Sequence, residues 1–401
     1  MTTQLITGIG ELTTNDPERD GPLGQVADAA VVIEGDTIAW VGRAADAPAA
    51  DHRVDLGGRA VLPGWVDSHT HLIFAGDRSR EFVRRMAGLP YEAGGIRTTV
   101  RATTDATDDE LRATLAARRA EAGAHGTTWM EVKTGYGLDV PHETRLARLA
   151  AEQTPDVTFL GAHVVPAGMC ADDYVALVTG DMLTAVQPYV RWIDVFCETG
   201  AFTADQTRAV LDAGRAAGLG LRVHGNQLGI GDGVQIAVEF GAASVDHCNH
   251  LTVRDVEALG SSTTVATLLP ACDLSTREPF PPARELLAAG ATIALASNGN
   301  PGTSNTTSMA FCVATAVLQM RLTIEEAVWA ATAGGARALR RENRIGAIIP
   351  GHRADLHALD APSIAHLAYR PGMDLTHLVW EGGRVHDPHV CASEFGQRAG
   401  G

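Results

Sequence analysis

From Val61 onward, short apolar runs alternate with stretches whose apolar positions recur at helical spacing. The runs are AVLPGWVDS, TTWMEVKT, VTFLGAHVV, VRWIDVFCE, LGLRVHGN, AASVDH, TVATLLPA and TIALASN. Between them lie DDELRATLAARRAEAG, TADQTRAVLDAGRAAG, VQIAVEFG and PPARELLAAG, several ending in Gly just before the next run, where a helix cap belongs. Eight strands, most followed by a helix, within about 250 residues predict an α/β fold of the (β/α)8 TIM-barrel kind. A doubly wound open sheet is the competing pattern, but no GxGxxG or GxxxxGK(S/T) follows the first strand.

The chain ends read differently. AAVVIEGDTIAWVG, Ala29 to Gly42, gives two β-rich runs around Gly35-Asp36, a hairpin pattern. After two further helices in TIEEAVWAATAGGARAL, the tail returns to strand-like runs in GAIIPGHRADLHAL and LTHLVWEGGRVH. Strands at both ends predict one small β domain, a β-sandwich, shared between the termini. The expected division is residues 1–60 and 346–401 for that domain and 61–345 for the barrel.

Composition narrows the class. A content of 45% hydrophobic and 20% charged residues in a 401-residue chain is that of a globular protein. No apolar run is long enough to span a bilayer, and MTTQLITGIGEL lacks the regions of a secretory signal, so a cytoplasmic protein without membrane partners is expected. The net charge of −16 argues against a nucleic-acid partner. Six cysteines (Cys170, Cys197, Cys248, Cys272, Cys312, Cys391) form no CxxC pair and fit reduced thiols; Cys248 and Cys272 flank candidate site residues.

In such a barrel, chemistry gathers at the C-terminal ends of the strands. Strand 1 ends in DSHTHL, and His69 and His71, two apart, face one side of the strand. Strands 5, 6 and 8 end in RVHGNQ, VDHCNH and ASN, which offer His224, His247 and Asn298. A lone strand-end histidine is usually structural; four converging on one barrel mouth point to a metal. Imidazoles with an oxygen ligand suit one divalent ion, Zn2+, Fe2+ or Mn2+, and such an ion lowers the pKa of bound water for attack on a carbonyl.

The HxH after strand 1 with single histidines after strands 5 and 6 resembles the amidohydrolase superfamily, a metal-dependent barrel type. A finer set of motifs resembles the imidazolonepropionase family, which opens a five-membered imidazolone ring in histidine degradation. They are PGWVDSHTHLIFAGDRSREF, GGIRTTVRAT, EVKTGYGLD, FLGAHVVP, DVFCETGAF, ATLLP and NPGTSNTTSM, in order from about residue 60 to 360. The resemblance implies that His69, His71 and His224 are metal ligands and that His247 polarises the reacting carbonyl. It also implies that Arg78, Tyr136, His163, Gln227, Asn300, Gly302 and Thr303 bind a small heterocyclic carboxylate, with Tyr91 a weaker pocket candidate, and that the protein is a homodimer.

These assignments make chemical sense. Arg78, in the loop past His71, can grip a carboxylate in a bidentate pair, although GDRSREF also reads as a local ion pair. Tyr136, between two glycines, can cover a planar ring or simply pack its loop. His163, at the tip of strand 3, can supply a proton donor or acid.

The departures are as informative. Ser297-Asn298-Gly299-Asn300-Pro301-Gly302 stands where the family has Thr-Asp-Phe-Asn-Pro-Gly. The missing Asp would touch the metal and take a proton from the attacking water; Asn298 keeps the shape and an oxygen ligand but is no base. His224-Gly225-Asn226-Gln227 replaces His-Ala-Asp-Glu/Gln, and ACDLS, with Cys272 and Asp273, follows strand 7.

Three readings stay open: an imidazolonepropionase with an inactivating Asp-to-Asn change, a paralogue rebuilt for another substrate or direction, and a non-catalytic binding protein. The pocket changes favour the paralogue, in which Asp273 or His163 moves the proton beside His247. Asp273 also reads as an ion-pair partner of Arg277 or a loop cap.

Overall fold

The computed structural model describes residues 2–88 and 95–386. Its strands, in chain order, are β1 (Thr3–Leu12), β2 (Val26–Glu34), β3 (Thr37–Arg43), β4 (His52–Pro63), β5 (Trp65–Asp67) and β6 (Thr127–Met130). They continue as β7 (Val132–Lys133), β8 (Val157–Ala162), β9 (Trp192–Cys197), β10 (Gly220–Gly225), β11 (Ser244–His247), β12 (Val265–Leu268) and β13 (Ile293–Leu295). The last three are β14 (Leu356–Leu359), β15 (Thr376–Glu381) and β16 (Arg384–His386). The chain groups into two compact units, Met1–Asp67 with Ala120–Trp129 and Ser308–Gly401, and Ser68–Arg119 with Met130–Thr307.

In the first unit, both chain ends build a seven-stranded mixed sheet in the order β16-β15-β14-β4-β1-β2-β3. The predicted hairpin is β2 and β3, antiparallel and joined at Gly35-Asp36, where Gly35 takes the positive φ such a turn needs. Alternation along the strands buries Ile6, Val31, Ile33, Val61, Leu356 and Trp380 in one apolar cluster. β5 and β6 form a separate two-stranded sheet.

In the second unit, β7 to β13 form one sheet ordered strictly by sequence, and every pairing in it is parallel. Residues 68–71 close it into a ring. On one side, Asn298 N–H donates to the His69 carbonyl at 3.0 Å and His71 N–H to that of Gly299 at 2.9 Å; on the other, Lys133 N–H donates to the Thr70 carbonyl at 2.8 Å. β8 and β12 are buried along their whole length, because helices cover the outer face. Those helices follow the predicted segments, for example Ala204–Ala216, which starts on a Thr203–Gln206 capping box. The architecture is the expected (β/α)8 barrel with a mixed sheet from both chain ends.

Candidate active site

The predicted ligands meet at the ends of the barrel strands. The metal-facing atoms of His69, His71 and His224 lie within 4.8 Å of one another, all buried. His69 and His71 follow β5 two residues apart, so the pleat sends both imidazoles to one face, and His224 comes from β10. His247, at the tip of β11, has its ring centroid 5.5 Å from that of His224 and 5.9 Å from that of His69.

Buried charges below the triad orient it. Asp246 Oδ2 lies 2.7 Å from His69 Nδ1, and Asp194 Oδ1 lies 3.1 Å from His224 Nδ1. Each carboxylate thereby accepts a hydrogen bond from Nδ1–H and leaves Nε2 as a lone pair. Lys133 Nζ binds Glu131 and Asp194 at 2.8 Å each, and Arg222 Nη2 reaches Asp246 Oδ2 at 3.2 Å. Burial works against these charges, but Asp194 and Glu131 raise the pKa of Lys133, and Arg222 and His69 hold the Asp246 carboxyl well below its ordinary range. Burial, and then Lys133, push His69 down to about 3, so the imidazole is neutral and fit to ligate.

A divalent cation fits this arrangement. His69 Nε2 and His71 Nε2 face each other at 3.2 Å, and His224 Nε2 is buried with no hydrogen-bond partner. With His71 in the tautomer that leaves its Nε2 as a lone pair, these facing nitrogens repel, and a cation relieves that repulsion. Asn298 Oδ1, also buried and without a partner, offers a neutral oxygen as a fourth ligand.

Around the triad, Tyr136 and His163 form an aromatic wall. Their rings lie 5.5 Å apart, and that of His163 stacks 5.6 Å from His71. His163 Nδ1–H donates to the Gly135 carbonyl at 2.9 Å, so Nε2 is left as an acceptor, and burial lowers the pKa to about 4. The proton donor expected at His163 is therefore an acceptor in this fold. Gly135 permits the contact: its φ is +109°, and a Cβ there would lie 3.0 Å from His163 Nδ1.

Several other candidates differ from their sequence reading. Arg78 is buried and pairs with Glu81, Nε to Oε2 at 2.9 Å and Nη2 to Oε1 at 2.7 Å, so the local ion pair is real. It also lies against Gly302, where a Cβ would sit 2.5 Å from its Cζ. Asn300 does not present its side chain to a substrate: Oδ1 accepts from the backbone of Gly302 and Thr303 at 2.8 Å each, and Nδ2 donates to the Asn298 carbonyl at 2.7 Å. It staples its own loop, as an Asx turn does. Thr303 shares that staple, its hydroxyl 2.9 Å from Asn300 Nδ2. Gln227 is half-buried, and its backbone N–H donates to Glu198. Tyr91 and Cys391 lie outside the described residues.

Asp273 lies in the first turn of the helix Pro270–Thr276, and Asn249 Nδ2 donates to its Oδ1 at 2.7 Å. Arg277, the expected ion-pair partner, caps this helix instead, its backbone N–H donating to the Asp273 carbonyl, while Asn249 takes the side chain. Burial pushes the carboxyl up to about 8, and Oδ2 has no hydrogen-bond partner. The metal-ligating atoms of Asp273, His247 and Cys272 lie within 4.8 Å of one another. The buried supports Glu131, Lys133, Asp194, Arg222 and Asp246 escaped the sequence reading. A signal was present: charged residues inside otherwise apolar strand runs, Arg222 two before His224 and Asp246 one before His247.

The amidohydrolase family model matches residues 60–385. Imidazolonepropionase from Saccharopolyspora erythraea is 65% identical over 386 residues, covering 96% of this chain and 98% of that protein. Those from an Arthrobacter species and Salinispora arenicola are 61% and 60% identical over 94% and 96% of this chain and 98% of each relative. Among solved structures, an adenosine deaminase from Xanthomonas campestris with bound zinc aligns at TM-score 0.72 and 18% identity over 98% of this chain and 97% of that one. Atrazine chlorohydrolase from Arthrobacter aurescens, complexed with zinc, aligns at 0.73 and 17% over 98% and 99%. The full-length likeness gives no support to a paralogue rebuilt for another substrate and favours the altered-imidazolonepropionase alternative. Sequence and fold together place the chain in the imidazolonepropionase family, metal-dependent cyclic amidohydrolases.

Proposed function

We propose that the chain hydrolyses the cyclic amide of an imidazolone ring bearing a propionate, with the strand-8 carboxylate replaced by Asn298. The observation that carries this reading is the triad: three buried imidazoles whose ligand atoms lie within 4.8 Å of one another, with Asp246 setting the tautomer of His69 and Asp194 that of His224. His69, His71, His224 and Asn298 would hold one Zn2+ or Fe2+ ion, with Mn2+ a third candidate, and when bound it supplies Lewis acidity and a water of lowered pKa.

The protein's own groups do the rest. Arg78, fixed by Glu81 and seated on Gly302, holds the propionate carboxylate. Tyr136 and His163 bracket the ring, and His163 Nε2 accepts a hydrogen bond from a ring N–H. His247 polarises the ring carbonyl. Asn298 cannot take a proton; in this reading Asp273 does so, its carboxyl pushed up to about 8 by burial and therefore available as a base at mildly alkaline pH. Gln227, Thr303, Gly302 and the backbone around Asn300 shape the mouth.

The test is turnover of imidazolone propionate, followed by loss of the ring's ultraviolet absorption. The wild type is expected to turn over slowly, His71→Ala to abolish turnover, and Asn298→Asp to raise it by about 10²- to 10⁴-fold, the usual worth of a general base. Absence of turnover in both the wild type and Asn298→Asp would overturn the proposal.

A further inference from the structure

Beside the triad lies a second set of donors that shares no residue with it. His247 closes β11, and Cys272 and Asp273 open the helix after β12, so adjacent barrel strands bring them together. All three are buried, with residue exposures of 2%, 0% and 1%. Their ligand atoms lie within 4.8 Å of one another. A tetrahedral zinc with bonds of about 2.0–2.3 Å separates its ligand atoms by roughly 3.3–3.8 Å, so small side-chain rotations close the gap.

Two further observations point to a ligand. Asp273 Oδ2 and His247 Nδ1 are both buried and lack hydrogen-bond partners. Asp273 is also held in place, because Asn249 donates to its Oδ1 at 2.7 Å and is itself anchored on the Pro279 carbonyl at 2.8 Å. Unsatisfied buried polar atoms are costly, by about 1–3 kcal/mol each, and persist where something meets them.

The geometry points to a second divalent-cation site formed by His247, Cys272 and Asp273, with an inhibitory role. The nitrogen, sulfur and oxygen donors suit a borderline-soft ion such as Zn2+, and a water completes four-coordination. On binding, the Cys272 thiol gives up its proton to solvent, since the thiolate is the ligand. Occupation withdraws His247 and Asp273 from the ring-opening step. The consequence for turnover rests on the roles proposed above; the existence of the site does not.

The experiment therefore reads binding rather than turnover. Full-length, metal-stripped protein is titrated with Co2+ while metal content and absorption are followed. Two equivalents per chain are expected, with a thiolate-to-cobalt charge-transfer band growing on the second. Cys272→Ala should bind one equivalent without the band, and Asp273→Asn should weaken the second equivalent at least about ten-fold. Circular dichroism and retention of the first equivalent report that the variants are folded. If Cys272→Ala does not fold, the same comparison is made with Cys272→Val and with Asp273→Asn. A single equivalent without the band in the wild type, or a band that survives in a folded Cys272 variant, would overturn the site.

Discussion

Gly302→Ala tests the link between the strand-8 loop and the substrate carboxylate. The added Cβ would lie 2.5 Å from Arg78 Cζ and 2.8 Å from Nη2. Carbon contacts settle near 3.5–4.0 Å, so the guanidinium or the loop must give by about 1 Å. Neither moves freely. Two hydrogen bonds to Glu81 pin Arg78, and Asn300 staples residues 298–303 through four hydrogen bonds shorter than 3 Å. Overpacking of this kind costs about 1–3 kcal/mol of stability. A charge-assisted bond to the propionate is worth about 1.5–3 kcal/mol, so losing it raises KM about 10- to 150-fold. The carboxylate is remote from the reacting carbonyl, so its grip is uniform binding and kcat should stay within about three-fold. Steady-state kinetics of ring opening, run in the Asn298→Asp background for signal, separate the two parameters. A folded Gly302→Ala protein with unchanged KM would refute both the steric argument and the role of Arg78.

The other predictions concern charge and metal. His357, buried with its Nε2 3.2 Å from Thr376 Oγ1, has a pKa pushed down to about 3 by burial. The unfolded chain takes that proton below about 6.5 and the folded one does not, so stability is unaffected above 6.5 and falls as pH drops towards 3. Between pH 6.5 and 5 the loss from this group is about 2 kcal/mol, and urea midpoints should show that His357→Gln is spared it. Lys133→Met leaves Glu131 and Asp194 buried without their shared cation, and denaturant melts should show a loss of about 3–5 kcal/mol. Chelation should abolish turnover and lower Tm; zinc restored at about a hundred times its Kd for the triad should return about 2.7 kcal/mol to the wild type, an increment that His69→Ala lacks.

The barrel was legible because a parallel strand covered on both faces must be a continuous apolar run, and eight such runs are visible. The triad was legible because a pleat fixes where residues two apart point, as with His69 and His71. What lay beyond reach depends on register between strands distant in sequence. Lys133, Asp194, Arg222 and Asp246 become one ion-pair network only once the sheet order sets β7, β9, β10 and β11 around the ring. Local competition explains the rest. Asn300 satisfies backbone N–H groups two and three residues ahead, and Arg78 meets Glu81 one helical turn on; in both cases the nearer partner took the group.

Asn298 has φ of +52°, in the left-handed region, which few residues other than glycine occupy without strain. Asn and Asp are the side chains that tolerate it best. The backbone at the tip of β13 thus accepts the amide and the acid alike, and the two differ there in charge rather than in shape. The backbone is blind to that exchange, and only the charge at the barrel mouth records it. A lineage could lose the acid without losing the protein, and regain it in a single step.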